Sequence, residues 1–158
     1  HNSLNKPVLL DGGAGNDMLF GGSKDDILLG GDGDDYLSGL AGRDILIGGA
    51  GADQIFGGAG DDLFIGGTTT HVNNRDSLIA LLAEWSRTNL TYQARIDHLT
   101  GFTGGGLNGA AKLTAATVFD DGAADLLFGQ LGREWNVGAS VLDAFSDKKK
   151  DEIGVSVI

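Results

Sequence analysis

The sequence predicts a mostly β protein, built on a parallel β-roll with a short α-helical insert and a C-terminal β segment. The roll is a two-sheet β-helix with eighteen residues in each coil. Six consecutive blocks of nine residues start at Gly12 and keep one period without an insertion. Each block has Asp at its sixth position and an apolar residue at its eighth. A unit of nine is too short for a helix pair but fits one tight turn and one short strand.

The eighth position of each block defines the inner side of the strand. Paired glycines permit the left-handed backbone of a tight turn, and alternation in the strand turns its middle residue away from its two neighbours. One short strand cannot bury that residue, so two blocks are expected to form one coil with two thin parallel sheets face to face. The eighth positions are Leu19, Leu28, Leu37, Leu46, Ile55 and Phe64.

The sixth positions are expected to form two rows of carboxylates, because alternate blocks stack on the same side. The rows are Asp17, Asp35 and Asp53 on one side and Asp26, Asp44 and Asp62 on the other. Carboxylates stacked at the strand spacing of ~4.8 Å repel one another unless a cation lies between them. Residues 12–67 hold ten Asp against one Lys and one Arg, so they supply −8 of the chain's −11. Oxygen ligands on irregular backbone suit Ca²⁺ better than Mg²⁺.

The pattern G-G-x-G-x-D-x-U-x, with U a large apolar residue, resembles the calcium-binding nonapeptide of RTX (repeats-in-toxin) proteins. The resemblance implies that Ca²⁺ is held between turns two blocks apart, by sixth-position aspartates and main-chain carbonyls. It also implies an extracellular bacterial protein exported by a type I secretion system. Carried over to this chain, the ligand pairs would be Asp17/Asp35, Asp35/Asp53, Asp26/Asp44 and Asp44/Asp62, with Gly12, Gly30, Gly48 and Gly57 as the glycine positions of the sites.

Three departures from the pattern fall on one side of the roll. Lys24 replaces the fourth-position glycine of block two, Leu40 replaces the second glycine of block four, and Arg43 precedes the aspartate of that block. The Asp26/Asp44 site is therefore expected to be the weakest. A flexible Gly/Asp-rich linker is the alternative interpretation of the whole stretch, and the strict apolar eighth position argues against it.

Composition limits the remaining possibilities. A chain of 158 residues corresponds to one domain or one and a half, and 41% hydrophobic content is enough for a core. The absence of cysteine excludes a disulfide framework and Cys-ligated zinc. The acidic balance argues against nucleic acid and anionic membranes as partners. No apolar run approaches a membrane span, and no signal peptide is evident. Because His1 is not a natural start, the chain is expected to be a fragment or a processed piece of a longer protein.

A helical segment is expected at 68–101, after a roll at 1–67 that starts with a half-coil at Val8. Asn74 or Asp76 can cap a helix at 77–87, and a second helix fits 90–99. The roll offers these helices an outer face that is aliphatic in every even-numbered block, and Leu78, Leu82 and Trp85 are expected to pack on it. That face consists of Ile27, Leu29, Ile45, Ile47, Leu63 and Ile65.

The C-terminal part, 102–158, is expected to be a β-rich cap. Residues 120–128 and 129–137 look like two degenerate blocks that form a short second roll segment. Asp125 holds the sixth position of the first and is a further candidate calcium ligand, whereas Glu134 holds the sixth position of the second. The apolar end at 155–158 is a predicted strand and also looks like an uncleaved type I secretion signal.

The sequence contains no recognisable catalytic constellation. The three histidines, His1, His71 and His98, form no metal-binding pair at helical spacing, and no nucleophile motif is present. The predicted function is a calcium-binding RTX module of a larger extracellular bacterial protein, which is not an enzyme. Its partners would be calcium ions and an upstream domain of the same precursor, or neighbouring copies. The alternative is a self-assembling structural or adhesive unit of a surface layer or filament.

Overall fold

The computed structural model describes residues 6–137 and the strand Ala144–Phe145. It shows a parallel β-solenoid with coils of about eighteen residues and two short helices, which confirms the predicted fold class. The strands are β1 Leu9–Ala14, β2 Met18–Gly22, β3 Ile27–Asp32, β4 Tyr36–Ala41, β5 Ile45–Ala50, β6 Gln54–Ala59, β7 Leu63–Ile65, β8 Thr68–Thr69, β9 Val118–Phe119, β10 Leu126–Phe128, β11 Trp135–Asn136 and β12 Ala144–Phe145.

Alternate strands form two parallel sheets. The first sheet has the order β1-β3-β5-β7-β11 and the second has the order β12-β10-β6-β4-β2. In the repeat region the paired strand residues are eighteen positions apart, as Ile27 is from Ile45 and Leu37 from Ile55. Strands β8 and β9 form a separate antiparallel pair. The strict register follows from the absence of insertions among the six blocks.

The core between the two sheets is made by the eighth positions. Because adjacent residues in a strand point to opposite faces, the middle residue of each short strand points inward. Leu19 and Leu10 at the N-terminal end are only partly buried, since they belong to the first coil. The fully buried members are Leu28, Leu37, Leu46, Ile55, Phe64 and Leu127.

The outer face of the first sheet is covered by two helices, α1 Arg75–Trp85 and α2 Tyr92–Thr100. Asn74 caps α1, where its side chain accepts a hydrogen bond from the N–H of Ser77 at 3.0 Å. Gly101 ends α2 with φ +80°. Leu78 and Trp85 are buried in one cluster with the outer aliphatic face, and Leu82 packs against that cluster while partly exposed. The face members in this cluster are Ile27, Leu29, Ile45, Ile47, Leu63 and Ile65.

The two degenerate blocks continue the same roll. Strand β10 pairs in parallel with β6, and β11 pairs in parallel with β7. They therefore form the next coil, which we call the terminal coil, and not the separate roll segment that the sequence predicts. Asp53 and Asp125 occupy equivalent positions 72 residues apart instead of 18, so 54 residues are inserted between neighbouring coils. The apolar end at 155–158 lies outside the described residues.

Candidate metal centre

The sixth-position residues line the two sets of turns that join the sheets. Asp17, Asp35, Asp53 and Asp125 precede strands of the second sheet, and we call them the first row. The second row precedes strands of the first sheet and contains Asp26, Asp44, Asp62 and Glu134. The structure therefore places every aspartate proposed as a ligand in one of two rows, and the terminal coil extends both rows by one carboxylate.

In six of these carboxylates one oxygen accepts a hydrogen bond from a main-chain N–H of the preceding coil. The N–H of Asp35, for example, donates to Oδ1 of Asp53 at 2.8 Å, and the N–H of Asp53 donates to Oδ1 of Asp125 at 2.8 Å. These bonds offset part of the repulsion that stacking alone would produce, since a main-chain donor stabilises the ionised carboxylate. The equivalent bonds run from Asp17 to Asp35, from Asp26 to Asp44, from Asp44 to Asp62 and from Val8 to Asp26.

The second oxygen of most of these carboxylates is buried without a hydrogen-bond donor in the part of the chain that the structure describes. Such an oxygen is costly to bury unless a cation or a donor compensates it. Five of the six blocks carry the same feature, which therefore belongs to the repeat and not to one irregular turn. The atoms are Oδ2 of Asp17, Asp35, Asp44, Asp53 and Asp62.

A glycine carbonyl of the next coil faces four of these oxygens, those of Asp17, Asp35, Asp44 and Asp53, across the space left by a first-position glycine. A Cβ atom on Gly12 would lie 2.8 Å from Oδ2 of Asp17 and 2.6 Å from the carbonyl oxygen of Gly30. Gly30 has the same surroundings, formed by Asp35 and the carbonyl of Gly48. Any side chain at these glycines would fill the space between the two oxygens. The arrangement explains why the block needs a glycine at its first position.

Further carbonyls point towards the next coil from the second and fourth positions. A Cβ atom on Gly33 would lie 2.5 Å from the carbonyl oxygen of Gly15, and one on Gly31 would meet the carbonyl oxygen of Gly13. Gly31 and Gly33 have φ of +115° and +128°, which only glycine adopts readily. Each inter-coil gap thus collects carboxylate and carbonyl oxygens from two coils. This donor set fits Ca²⁺.

Side chains alone do not make a metal site here. Within residues 6–137 and Ala144–Phe145, no group of three or more His, Cys, Asp or Glu side chains is close enough to hold an ion. Main-chain carbonyls are therefore essential to any cation site in the turns. This requirement also explains the repeat, because a carbonyl ligand needs a fixed backbone but no particular side chain.

Burial raises the pKa values of the row carboxylates. The pKa of Asp44 rises from 3.8 to about 8, mainly through desolvation and then through the neighbouring charge of Asp62. Burial likewise raises the pKa values of Asp53 and Asp62 to about 7, and those of Asp26 and Asp35 rise for the same reason. A divalent cation in the gap would reverse these shifts, because it favours the ionised form.

The candidate positions are not equivalent. Oδ2 of Asp26 accepts a hydrogen bond from the N–H of Gly22 at 2.6 Å, so this oxygen already has a donor. At Gly57, Oδ2 of Asp62 faces the ring of Phe64. Gly39 and Gly66 were not among the predicted site positions, yet the carbonyl of Gly66 faces Asp53 and Gly39 lies beside Asp44. The nine-residue period itself was the signal that could have found both.

The second row is also tied to the helices. Nη2 of Arg95 lies 2.5 Å from Oδ2 of Asp61, and the indole Nε1 of Trp85 donates to the carbonyl of Asp61 at 2.8 Å. Arg43 of block four lies 3.7 Å from the same carboxylate. Arg95 is 2% exposed, so this ion pair holds a buried charge against the roll. The two helices are thus anchored at the turn that precedes β7.

Comparison with known proteins identifies the repeat. Residues 11–46 and 38–68 match the family model of the RTX calcium-binding nonapeptide repeat (4 copies), which confirms the resemblance stated above. No significant match was found among curated proteins or among solved structures. None of the helices in the described residues is both long and apolar enough to span a membrane. RTX nonapeptide repeats bind Ca²⁺, and Ca²⁺ is therefore the cofactor of this repeat.

Proposed function

We propose that this chain, whose residues 11–68 carry RTX calcium-binding repeats, is the calcium-folding module of a larger extracellular bacterial protein. In this proposal the module folds on calcium after type I secretion. The observation that supports it most directly is the series of five buried Oδ2 atoms without hydrogen-bond donors among the described residues, four of which lie beside a glycine carbonyl of the next coil. A chain that buries five such oxygens gains stability from a cation that compensates them.

The ligands in this proposal are the row carboxylates and the carbonyls that face them. Asp17, Asp35 and Asp53 would hold cations in the first row, together with the carbonyls of Gly30, Gly48 and Gly66. Asp44 and Asp62 would do so in the second row. Bound Ca²⁺ supplies positive charge that neutralises buried carboxylates and links neighbouring coils. The chain supplies the gap itself, through glycines at the first, second and fourth positions of the blocks.

Asp26 would contribute the weakest ligand. Its second oxygen already accepts a hydrogen bond from Gly22, and Lys24 places a cationic side chain in the same turn. Asp125 extends the first row into the terminal coil and is proposed as a further ligand position, because its Oδ1 accepts a hydrogen bond from the N–H of Asp53, as Oδ1 of Asp35 and of Asp53 accept one from the preceding coil. Glu134 occupies the equivalent place in the second row.

The biological setting is likewise proposed. RTX repeats are structural calcium-binding repeats and not an enzyme family, so we assign this chain no catalytic step. Proteins with such repeats are typically secreted, which supports an extracellular location. The partners would be calcium ions and an upstream domain of the same precursor. We also propose the division into a roll at 1–67, a helical segment at 68–101 and a cap at 102–158, and this cap contains the terminal coil that continues the roll.

Circular dichroism with and without Ca²⁺ tests the proposal. In EDTA the β signal should be lost and the melting temperature lowered, because unpaired carboxylates repel and many glycines must be ordered. Millimolar Ca²⁺ should restore both, whereas Mg²⁺ at the same concentration serves as the control and should be much less effective. A spectrum and melting temperature that are unchanged between EDTA and Ca²⁺ would overturn the proposal.

A self-assembling unit remains a second candidate, favoured by the outer face of the second sheet. Four rings form a ladder there, with centroids 5.8 Å apart for Phe20–Tyr36, 4.9 Å for Tyr36–Phe56 and 4.5 Å for Phe56–Phe128. Phe20 is 48% exposed. Size-exclusion chromatography with light scattering in Ca²⁺ should then show assemblies that Phe20→Asp disrupts. A monomer at all concentrations would exclude this candidate.

A further inference from the structure

Four turns of the roll carry a second set of hydrogen bonds, accepted by side chains at the fifth position of the block. In each bond the N–H of a fifth-position residue donates to the fifth-position side chain of the preceding coil. The bonds are Asp34 to Asn16 at 3.1 Å, Ala52 to Asp34 at 3.0 Å, Arg43 to Asp25 at 2.8 Å and Arg133 to Asp61 at 3.2 Å. The same contact thus recurs on both sides of the roll.

These bonds run opposite to those of the sixth position. The N–H of Asp34 donates to the preceding coil, at Asn16, whereas the N–H of Asp35 donates to the following coil, at Asp53. Within one turn, the N–H of the fifth position therefore points to the preceding coil and the N–H of the sixth position points to the following coil. Each of the two N–H groups needs its own side-chain acceptor, one in each neighbouring coil.

The fifth-position bond fixes the direction of a glycine carbonyl. The N–H of Asp34 and the carbonyl of Gly33 belong to one planar trans peptide, so they point in opposite directions. Because the N–H points to the preceding coil, the carbonyl points to the following one. The surroundings of Gly51 agree, since a Cβ there would meet the carbonyl oxygen of Gly33. Gly60 meets the carbonyl of Gly42 in the same way.

The oriented carbonyl and the row carboxylate share one gap. The carbonyl of Gly33 points between the coil that contains Asp35 and the coil that contains Gly48 and Gly51. The second oxygen of Asp35 and the carbonyl of Gly48 face each other in that same gap. The fourth-position carbonyl is thus available to a cation only while its peptide keeps this orientation.

We propose that the fifth-position oxygens are positioning residues for calcium, which hold the fourth-position carbonyls of the next coil towards the ion. This inference rests on the proposed calcium-binding function and adds residues that do not touch the ion. Asn16 positions Gly33, Asp25 positions Gly42 and Asp34 positions Gly51. The required property is hydrogen-bond acceptance and not charge, because neutral Asn16 makes the same bond as Asp34.

Three variants separate acceptance from charge. Asp34→Asn keeps an acceptor and removes the charge, whereas Asp34→Ala removes both. Asp32→Ala is the matched control, since it removes an exposed carboxylate from the same turn that makes none of these fifth-position bonds. Asp34 is itself exposed, so none of the three changes disturbs the core. Calcium affinity is measured by titration calorimetry, and melting temperature is measured in EDTA and in saturating Ca²⁺.

We expect Asp34→Asn and Asp32→Ala to bind calcium within about twofold of the parent chain, and Asp34→Ala to lose about two- to tenfold, the range of one ordinary hydrogen bond. The calcium-induced rise in melting temperature should shrink only in Asp34→Ala. Equal losses in Asp34→Asn and Asp34→Ala would overturn the inference, as would equal melting-temperature drops with and without calcium. A parent chain that binds no calcium would instead refute the proposed function.

Discussion

At the scale of single residues, the two rows contain carboxylates with different surroundings. Asp35 has one oxygen held by the N–H of Asp17 and another without a hydrogen-bond donor among the described residues. Asp26 has both oxygens bonded to main-chain donors, from Val8 and Gly22. The two residues therefore make a matched pair, in which the same side chain is placed in the same turn position of successive blocks.

We expect Asp35→Ala to reduce calcium affinity more than Asp26→Ala. The loss at Asp35 should be about tenfold, equivalent to about 1.4 kcal/mol, because a ligand shared by two inter-coil gaps disappears. Titration calorimetry on both variants measures the difference. Asp35→Ala removes the acceptor of one main-chain N–H, whereas Asp26→Ala removes the acceptors of two, so the loss of main-chain hydrogen bonds alone would make Asp26→Ala the more damaging change. Equal losses, or a larger loss at Asp26, would contradict the ligand assignment.

Leu40 is the residue at which the repeat is strained. It has φ +76° at a position where the glycines of blocks one, three, five and six also have positive φ, and its side chain is 48% exposed. The left-handed conformation costs a non-glycine residue about 1–2 kcal/mol, and an exposed side chain recovers little of this. Leu40→Gly should therefore raise the free energy of unfolding by about 1 kcal/mol, measured by chemical denaturation in Ca²⁺.

Leu131 provides the control for that substitution. It is 63% exposed and lies at the edge of the same sheet, but its φ is not positive. Leu131→Gly should be neutral or destabilising, since glycine costs roughly 0.5–1 kcal/mol in an extended segment. If both glycine variants changed stability in the same direction and by the same amount, strain at Leu40 would not be the cause.

The sequence could predict the ligand positions at this scale, but not the hydrogen bonds around them. A strict sixth-position aspartate is visible as a period, and its row follows from stacking alone. The role of Asn16 and Asp34 at the fifth position was not predicted, because Arg43 and Ala52 interrupt the pattern. The donor of each bond is moreover a main-chain N–H, which leaves no trace in the side-chain sequence.

At the scale of elements, α1 and α2 complete a core that the roll alone cannot bury. Ile45 lies in the middle of the outer face and is 1% exposed beneath the helices. The aliphatic outer positions of the even-numbered blocks were enough to predict that this sheet is covered. The helix boundaries differ from the predicted ones by one or two residues, because Asn74 and not Asp76 makes the cap.

We expect Ile45→Asp to destabilise the folded chain by about 3 kcal/mol or more, since it buries an unpaired charge between sheet and helices. Gln54→Asp is the matched control, because Gln54 holds the same block position on the exposed second sheet. In thermal melts with Ca²⁺, the melting temperature should fall strongly for Ile45→Asp and only slightly for Gln54→Asp. Equal shifts would mean that the helices do not seal this face in solution.

At the scale of the whole molecule, buried carboxylates make stability depend on pH in a way that calcium reverses. Without calcium, burial raises the pKa of Asp44 to about 8 and those of Asp53 and Asp62 to about 7, from 3.8. Between about pH 4 and pH 8 the folded state then binds more protons than the unfolded state, so stability falls as pH rises. Bound calcium keeps the carboxylates ionised, and stability then falls as pH decreases.

Calorimetric melting temperatures measure this reversal. On acidification from pH 8 to pH 5.5, the melting temperature should rise in EDTA and fall in saturating Ca²⁺. A chain in which Asp44, Asp53 and Asp62 are replaced by Asn should lose both trends, since these side chains would no longer titrate. The same direction of change in EDTA and in Ca²⁺ would show that the row carboxylates do not control the pH dependence.

The architecture of the whole chain was predictable only in part. Six in-phase blocks specify the coil, the two sheets and the rows without further information. The terminal coil was recognisable from Asp125 and Leu127, but its place in the same roll was not. Pairing across 54 inserted residues depends on the surface that β6 and β7 leave free, and no local pattern encodes that long-range contact.

The insertion between the coils has a kinetic consequence. Coils one to three can form by successive local contacts between residues eighteen apart, which close short loops. The terminal coil closes a loop four times as long and must await the docking of α1 and α2, because Trp135 packs against Trp85 with ring centroids 5.9 Å apart. Longer loops cost more entropy to close and fold more slowly. The last coil of the solenoid should therefore assemble last and open first, and the indole fluorescence of Trp135 should report that step separately from the repeats.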